Sequence, residues 1–181
     1  MECYTTLRSA KFRDDRGFFS ETWNKKTLSA QGIEIEFVQD NLSMSIETGT
    51  VRGLHCQLPP HGQAKLVRCA QGGLFDVVVD IPRGSPRFGQ WIGEELSFEN
   101  GKQIFIPVGF LHGFVTLEPN TEIMYKCSAF YAPDSDVSVR YDDPDIGIEW
   151  PFNRNAVVLS AKDDAGLAWA DFSSPFIYEA A

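Results

Sequence analysis

A histidine within a largely apolar stretch is the first feature of this sequence that could do chemistry. The stretch reads Gly53-Leu54-His55-Cys56-Gln57, and in a strand the side chains of residues two apart lie on the same face. A second histidine at position 57 and a nearby glutamate would complete a two-histidine, one-carboxylate metal site. Gln57 occupies that position, and residues 58–62 contain no glutamate. The stretch therefore favours proton transfer by His55 over metal chemistry.

A second candidate histidine, His112, follows a series of turn residues. Gly101, Pro107, Gly109 and His112 match the second sequence signature of the cupins, in which proline and glycine turn the chain so that the histidine points into a barrel. The last position of that signature is usually asparagine and is Thr116 here. The resemblance implies a double-stranded β-helix, or jelly roll.

Short β-rich runs separated by turn residues must position these histidines. Seven strands are predicted, at Lys65–Ala70, Leu74–Ile81, Trp91–Phe98, Gln103–Ile106, His112–Leu117, Glu122–Cys127 and Val137–Tyr141. Helix is expected only near Trp23–Gln31 and at Ser160–Asp163, where Ser160 is the predicted N-cap. The pattern predicts an all-β sandwich, barrel or jelly roll with a few short helices, in a single domain over residues 1–181. Among these, the resemblance to the cupin signature implies the cupin-like jelly roll.

Composition narrows the range of partners. The 181 residues are 43% hydrophobic and 23% charged, as in a globular protein, and the net charge of −9 opposes nucleic-acid binding. No apolar run suits a signal peptide or a membrane span. Cys3, Cys56, Cys69 and Cys127 are widely spaced, without a Cys-x-x-Cys pair. We therefore expect a cytoplasmic protein with reduced thiols and neither nucleic acid nor membrane as a partner.

Seven segments, in the same order along the chain, carry a resemblance to one family of cupin-type enzymes. They are Asp15–Phe19, Phe37–Asn41, Val51–His55, Ala64–Arg68, Phe75–Asp80, Phe110–Phe114 and Leu159–Asp163. With them, the chain resembles the dTDP-4-dehydrorhamnose 3,5-epimerases. Ordered matches over most of a chain are far harder to obtain by chance than one short motif.

The resemblance implies an isomerase that acts on a 4-keto-6-deoxyhexose attached to dTDP. The ketone acidifies the hydrogens on C3 and C5, so the enzyme needs a base, a group that stabilises the enolate, and an acid on the opposite face. By resemblance the base is His55, paired with Asp163, while Lys65 stabilises the enolate and Tyr125 is the acid. Tyr125 shares strand parity with Ile123, which is consistent with an inward-facing phenol.

The resemblance also implies a set of substrate-binding residues, which are Arg16, Glu21, Gln39, Asp40, Asn41, Arg52, His112, Asp136 and Lys162. Arg16 and Arg52 suit the pyrophosphate because a guanidinium can hold two phosphate oxygens at once. Phe18, Phe19 and Phe130 are candidates to stack on the nucleotide base. No metal or other cofactor is implied. The implied partners are the dTDP-sugar and a second copy of the chain, in a homodimer.

Two positions depart from the usual family pattern, and other functions stay open. Asp136 stands where the family often has glutamate, and Phe130-Tyr131 stands where many members have adjacent tyrosines. The alternatives are an epimerase that acts at C3 only, a metal-dependent cupin oxygenase, and a non-catalytic cupin that binds sugar nucleotides. Gln57 disfavours the oxygenase, and the retained base and acid disfavour the binding protein.

Overall fold

The computed structural model describes residues 4–152 and 157–179. In chain order its strands are β1 (Thr5–Arg8), β2 (Phe12–Asp14), β3 (Gly17–Phe19), β4 (Gln39–Ser45), β5 (Val51–Gln57), β6 (Lys65–Gln71), β7 (Gly73–Asp80), β8 (Trp91–Ser97), β9 (Lys102–Ile106), β10 (Phe110–Thr116), β11 (Thr121–Cys127) and β12 (Asp136–Ser138). The helices are α1 (Lys25–Ser29), α2 (Ala161–Asp164) and 3-10 turns at Pro133–Ser135 and Trp169–Asp171.

Two antiparallel sheets of five strands form the body of the fold. The first sheet has the order β1-β9-β6-β11-β4 and the second the order β12-β5-β10-β7-β8, while β2 and β3 form a separate hairpin. Many neighbours in each sheet are distant in sequence, so the chain crosses repeatedly from one sheet to the other, as in a jelly roll. The predicted all-β, cupin-like jelly roll with a few short helices is confirmed. No helix in the described ranges is long and apolar enough to cross a membrane.

The seven predicted strands correspond to β6 through β12, with small differences at their ends. The last is the shortest and ends at Ser138. Val139 still exchanges both backbone hydrogen bonds with Leu54 of β5 and also bridges Leu167. The helix predicted near Trp23–Gln31 covers only Lys25–Ser29, behind an Asn24 cap. The second helix begins where predicted, since Ser160 Oγ accepts a hydrogen bond from the backbone N–H of Asp163.

The strand pattern predicts none of β1 to β5, although residues 53–57 are compared with a metal-binding strand. Strand β4 gives a physical reason. Its inward residues Gln39, Asn41 and Ser43 are polar, whereas Leu42 and Met44 on its outer face are exposed. This alternation is the reverse of that expected for a strand that covers an apolar core. The inner face of β4 lines a polar cavity instead.

Apolar clusters cover both faces of the second sheet. Between the sheets, Val67, Val78, Ile104 and Ile123 belong to one buried cluster. The other cluster packs the outer face of the second sheet against the chain segment after β12. The inner cluster fills only part of the space between the sheets, and its members Ile123 and Phe114 also line the cavity.

Candidate active site

A cavity of about 330 Å³ lies between the two sheets, beside the inner apolar cluster. All four residues predicted to be catalytic line it, which are His55, Lys65, Tyr125 and Asp163. Six of the nine predicted substrate-binding residues line it as well, which are Gln39, Asn41, Arg52, His112, Asp136 and Lys162. The fold therefore brings together residues from six strands and from α2.

A histidine–aspartate pair stands on the wall formed by the second sheet. His55 Nε2 lies 2.5 Å from Asp163 Oδ1, although the residues are 108 positions apart. Asp163 Oδ2 accepts a hydrogen bond from Ser160 Oγ at 2.7 Å. Burial acts to raise the pKa of Asp163, but the hydrogen bonds from His55, Ser160 and the Gly53 backbone outweigh it and hold the pKa below its usual value. The carboxylate accepts a hydrogen bond from the Nε2–H group, so the basic nitrogen of neutral His55 is Nδ1.

An irregularity in β5 lets Arg52 and His55 face the same cavity. Residues three apart on a regular strand point to opposite faces. Here the pairing of β5 with β10 shifts register between His112 and Phe114, and Gly53 has a φ of +129°. A Cβ at Gly53 would lie 2.5 Å from the Cα of Gly113, so glycine is required for this close approach.

Tyr125 and Lys65 stand on the opposite wall, formed by the first sheet. Ile123, Tyr125 and Cys127 all line the cavity, which confirms the predicted inward face of β11. Burial raises the pKa of Tyr125, with smaller effects in the same direction from Cys127 and Asp136. The phenol therefore keeps its proton and remains a potential acid.

Lys65 lies in an apolar, thiol-lined part of the same wall. Burial lowers its pKa, although nearby Cys127, Cys56 and Asp136 oppose the shift. Within the described ranges, no carboxylate lies within ion-pair distance of its ammonium group. Burial also raises the pKa of Cys56 to about 12, so this thiol stays protonated and does not neutralise the lysine.

His112 lies beside His55 and has its own carboxylate. The two histidines are Cα partners on β10 and β5, and His112 Nε2 lies 2.9 Å from Asp76 Oδ2. Asp76 is completely buried on β7. Asp76 lies in one of the matched segments, but the sequence does not predict it as a catalytic or binding residue. A single aspartate within the apolar run Leu74–Val79 is the signal that could have identified it.

A polar network forms the rim of the cavity. Asp136 Oδ2 accepts a hydrogen bond from Tyr131 Oη at 3.0 Å and forms an ion pair with Lys162. Lys162 immediately precedes Asp163 on α2, so the rim is connected to the histidine–aspartate pair. Tyr131 is a cavity residue that sequence reasoning noted only as a departure from the family pattern.

Three predicted binding residues lie outside this cavity. Arg16 projects from the β2–β3 hairpin and pairs with Asp14. Glu21 lines a separate shallow depression near Trp23. Asp40 forms an ion pair with Lys126 on the outer face of the first sheet. Of the proposed stacking residues, Phe18 packs against Phe98, while Phe19 and Phe130 are exposed.

Comparisons with known proteins agree with this fold. The dTDP-4-dehydrorhamnose 3,5-epimerase family model matches residues 2–171. The enzyme of that name from Sinorhizobium fredii (strain NBRC 101917 / NGR234) is 47% identical over 172 residues, which are 95% of this chain and 88% of that protein. The crystal structure of dTDP-6-deoxy-D-glucose-3,5-epimerase from Legionella pneumophila Philadelphia 1, in complex with dTDP-4-keto-L-rhamnose, superposes with a TM-score of 0.94 at 41% identity, covering 99% of this chain and 96% of that one.

A relative with a narrower activity has the same fold. The 3'-monoepimerase of Streptomyces bikiniensis, in complex with dTDP-quinovose, has a TM-score of 0.86 at 32% identity and covers 93% of this chain and 85% of its own. The similarity of fold thus extends to enzymes that differ in the number of carbons they invert. The match to the family model over nearly the whole length, with the identity to its curated members, places this chain in the dTDP-4-dehydrorhamnose 3,5-epimerase family.

Proposed function

We propose that this chain epimerises dTDP-4-dehydro-6-deoxy-D-glucose at C3 and C5 to dTDP-4-dehydro-L-rhamnose, in dTDP-L-rhamnose biosynthesis. One observation carries the proposal. A carboxylate-paired histidine on one sheet faces a lysine and a tyrosine on the other sheet across a single cavity. Base and acid on opposite walls are the arrangement that inversion of a carbon requires.

In the proposed mechanism, His55 Nδ1 removes the proton from a carbon beside the C4 ketone. The electron pair of the broken C–H bond forms a C–C double bond, and the carbonyl electrons move to the oxygen as an enolate. The ammonium of Lys65 stabilises this oxyanion. The phenol of Tyr125 then delivers a proton to the opposite face of the carbon as the C4 ketone re-forms. His55 afterwards releases its extra proton to solvent, and the phenolate of Tyr125 takes one up. Asp163 holds the imidazole in the required tautomer and stabilises its charged form.

The nucleoside diphosphate occupies the outer part of the cavity in this proposal, since the reacting sugar must lie near the buried candidates. Arg52 is suited to the pyrophosphate. Its side chain is already oriented by hydrogen bonds from Nε to Ser45 Oγ and from Nη2 to the Met44 carbonyl, both at 3.2 Å. Lys162 supplies a further cationic donor, and His112 lines the same cavity.

The direct test is proton NMR of the purified enzyme with the substrate in deuterated water. We expect deuterium to enter at both C3 and C5, and the L-sugar to form. Exchange confined to C3 would favour the single-site alternative, an activity like that of the S. bikiniensis 3'-monoepimerase. No exchange at either carbon would contradict the proposed function.

We further propose that the chain works as a homodimer in which each copy completes the cavity of the other. Arg16 and Glu21 lie away from the cavity of their own chain, although the family resemblance assigns them to substrate binding. The outer face of edge strand β4 also carries exposed Leu42 and Met44, which are suited to a protein interface.

Mixing of subunits tests this arrangement. In the proposed homodimer, Arg16→Ala and His55→Asn subunits should each be weak alone and recover activity when refolded together. The recovered site has His55 from one copy and Arg16 from the other. Sedimentation analysis should give the mass of two chains. Arg16 would act within its own chain if the mixture were no more active than the Arg16→Ala homodimer.

A cytoplasmic location completes the proposal. Cys56, Cys69 and Cys127 are free and buried, which supports a reducing compartment. Cys3, which is also predicted to carry a reduced thiol, lies outside the described residues.

A further inference from the structure

Gln57 occupies the strand position at which a cupin metal site would have its second histidine, and its side chain has a different use here. The residue is 95% buried, with a relative exposure of 5%. Its Nε2 donates to the His61 carbonyl at 2.7 Å and to the Phe130 carbonyl at 3.2 Å. Its Oε1 accepts from the Ala132 backbone N–H at 2.8 Å. Both amide hydrogens and the carbonyl oxygen are therefore engaged with backbone groups.

The segment that Gln57 holds, Phe130–Ala132, lies outside the sheets. It falls between the end of β11 at Cys127 and the start of β12 at Asp136. The backbone N–H of Tyr131 donates to Gln39 Oε1 at 2.9 Å. Three consecutive residues are thus held by two glutamine side chains rather than by a strand ladder. Loss of Gln57 would leave the part-buried Phe130 carbonyl and Ala132 N–H without these partners and loosen the segment.

This segment forms part of the rim of the cavity. The side chain of Tyr131 lines the cavity, and its hydroxyl donates to Asp136, which also forms an ion pair with Lys162. Gln57 and the candidate base His55 are two residues apart on β5, on the same inward face. A single strand therefore fixes both the reacting end of the cavity and its rim.

We propose that Gln57 is a positioning residue that holds Phe130–Ala132 in place and thereby orients Tyr131 for binding of the nucleotide part of the substrate. This inference rests on the proposed function. Gln57 acts through Tyr131 and takes no part in proton transfer. The amide that replaces a metal ligand fastens the rim of the binding site to the strand that carries the base.

The test separates substrate binding from chemistry. Gln57→Leu should raise KM about tenfold and change kcat less than about threefold, because the rim is displaced while the catalytic groups stay in place. The Kd for dTDP alone, measured by calorimetry, should rise by a similar factor. Gln57→Glu keeps the shape of the side chain but loses both donated hydrogen bonds, and should change KM in the same direction. If the Gln57→Leu variant does not fold, the KM of the Gln57→Glu variant provides the test.

A matched control removes buried hydrogen bonds elsewhere. Thr121 is fully buried outside the cavity, and its hydroxyl oxygen lies 2.8 Å from the Glu118 carbonyl and 3.2 Å from the Gly73 carbonyl, which share its single hydrogen. Thr121→Val should lower the melting temperature and leave KM unchanged. A KM change of equal size in this variant would mean that Gln57 affects binding only through general stability, and would overturn the inference.

A double-mutant cycle tests whether Gln57 acts through Tyr131. In a Tyr131→Ala background, Gln57→Leu should change KM less than about twofold, since the group that it positions is gone. An undiminished effect would overturn the inference, as would a fall in kcat at constant KM. Failure of the proposed function is separate, because the wild-type protein would then not form the L-sugar, whatever the Gln57 variants do to the Kd for dTDP.

Discussion

The candidate catalytic groups on the two walls of the cavity differ in whether they have hydrogen-bond or ion-pair partners within the protein. On the second sheet, each histidine already has a carboxylate partner, with His55 Nε2 2.5 Å from Asp163 Oδ1 and His112 Nε2 2.9 Å from Asp76 Oδ2. On the first sheet, the ammonium of Lys65 and the hydroxyl of Tyr125 have no hydrogen-bond or ion-pair partner among residues 4–152 and 157–179. Burial shifts the pKa of both groups, downward for Lys65 and upward for Tyr125.

This difference suits the two sheets to different steps of the proposed reaction. A histidine that must accept a proton benefits from a fixed tautomer and a nearby negative charge, and both are present before substrate arrives. A lysine and a phenol that must meet an enolate benefit from being unoccupied, because a protein partner would compete with the oxyanion. The second sheet is thus suited to proton abstraction and the first sheet to charge stabilisation and proton return.

Removal of the base should have the largest effect on this comparison. His55→Asn should reduce exchange at both C3 and C5 by ~10²–10⁴, the usual loss for a general base. The Kd for dTDP should change less than about threefold, which serves as the control for folding. Deuterium uptake in water-exchange NMR measures the effect. Near-normal exchange in a folded variant would assign the base to another residue.

Removal of the acid should separate the two walls. In Tyr125→Phe the ring volume is kept and only the hydroxyl is lost, so the cavity stays packed. Deprotonation by His55 should continue, with deuterium uptake at C3 at least, while C5 inversion falls by ~10² or more. NMR follows exchange and L-sugar formation in the same sample. Unchanged C5 inversion would remove Tyr125 from the acid role.

The pH dependence should identify Lys65 on the first sheet. Its ammonium form is lost as pH rises through a pKa that burial holds below 10.5, whereas the phenol of Tyr125 has its pKa raised above 10 and keeps its proton longer. The alkaline decline of kcat/KM should therefore begin below pH 10.5 and report the lysine. In Lys65→Arg the decline should move to higher pH, since a guanidinium stays charged, while maximal kcat/KM falls about tenfold. An unmoved alkaline decline would exclude Lys65 as its origin.

Several strands and one helix start can be predicted from the sequence because they depend on residues close together in the chain. Strands β6 to β12 have apolar runs between turn residues, and Ser160 precedes a helix start that the structure contains. The meeting of His55 with Lys65 and Tyr125 was predicted by family resemblance and not from spacing.

Other parts depend on contacts that a linear pattern does not contain. Strand β4 has polar residues inside and apolar residues outside, so the usual alternation rule fails at the substrate cavity. Asp76 is identifiable as a partner of His112 only once β7 and β10 are paired. The sequence indicates only that Gln57 replaces a histidine metal ligand. Its hydrogen bonds to Phe130 and Ala132 depend on the conformation of the loop between β11 and β12.

Metal removal should have the smallest effect, and it tests whether Lys65 provides the positive charge that an ion provides in other cupins. In the described ranges, no group of three or more histidine, cysteine, aspartate or glutamate side chains is placed to hold an ion. The strand position for a second ligand carries Gln57, whose amide is fully engaged with backbone groups. A lysine ammonium beside the C4 oxygen can stabilise the enolate without a metal. Activity after exhaustive dialysis against EDTA should therefore stay within about twofold of the untreated enzyme, and added Mg²⁺ or Zn²⁺ should not increase it. If EDTA abolished turnover and one equivalent of metal restored it, a metal ion would stabilise the enolate. Lys65 would then have to act in substrate binding instead.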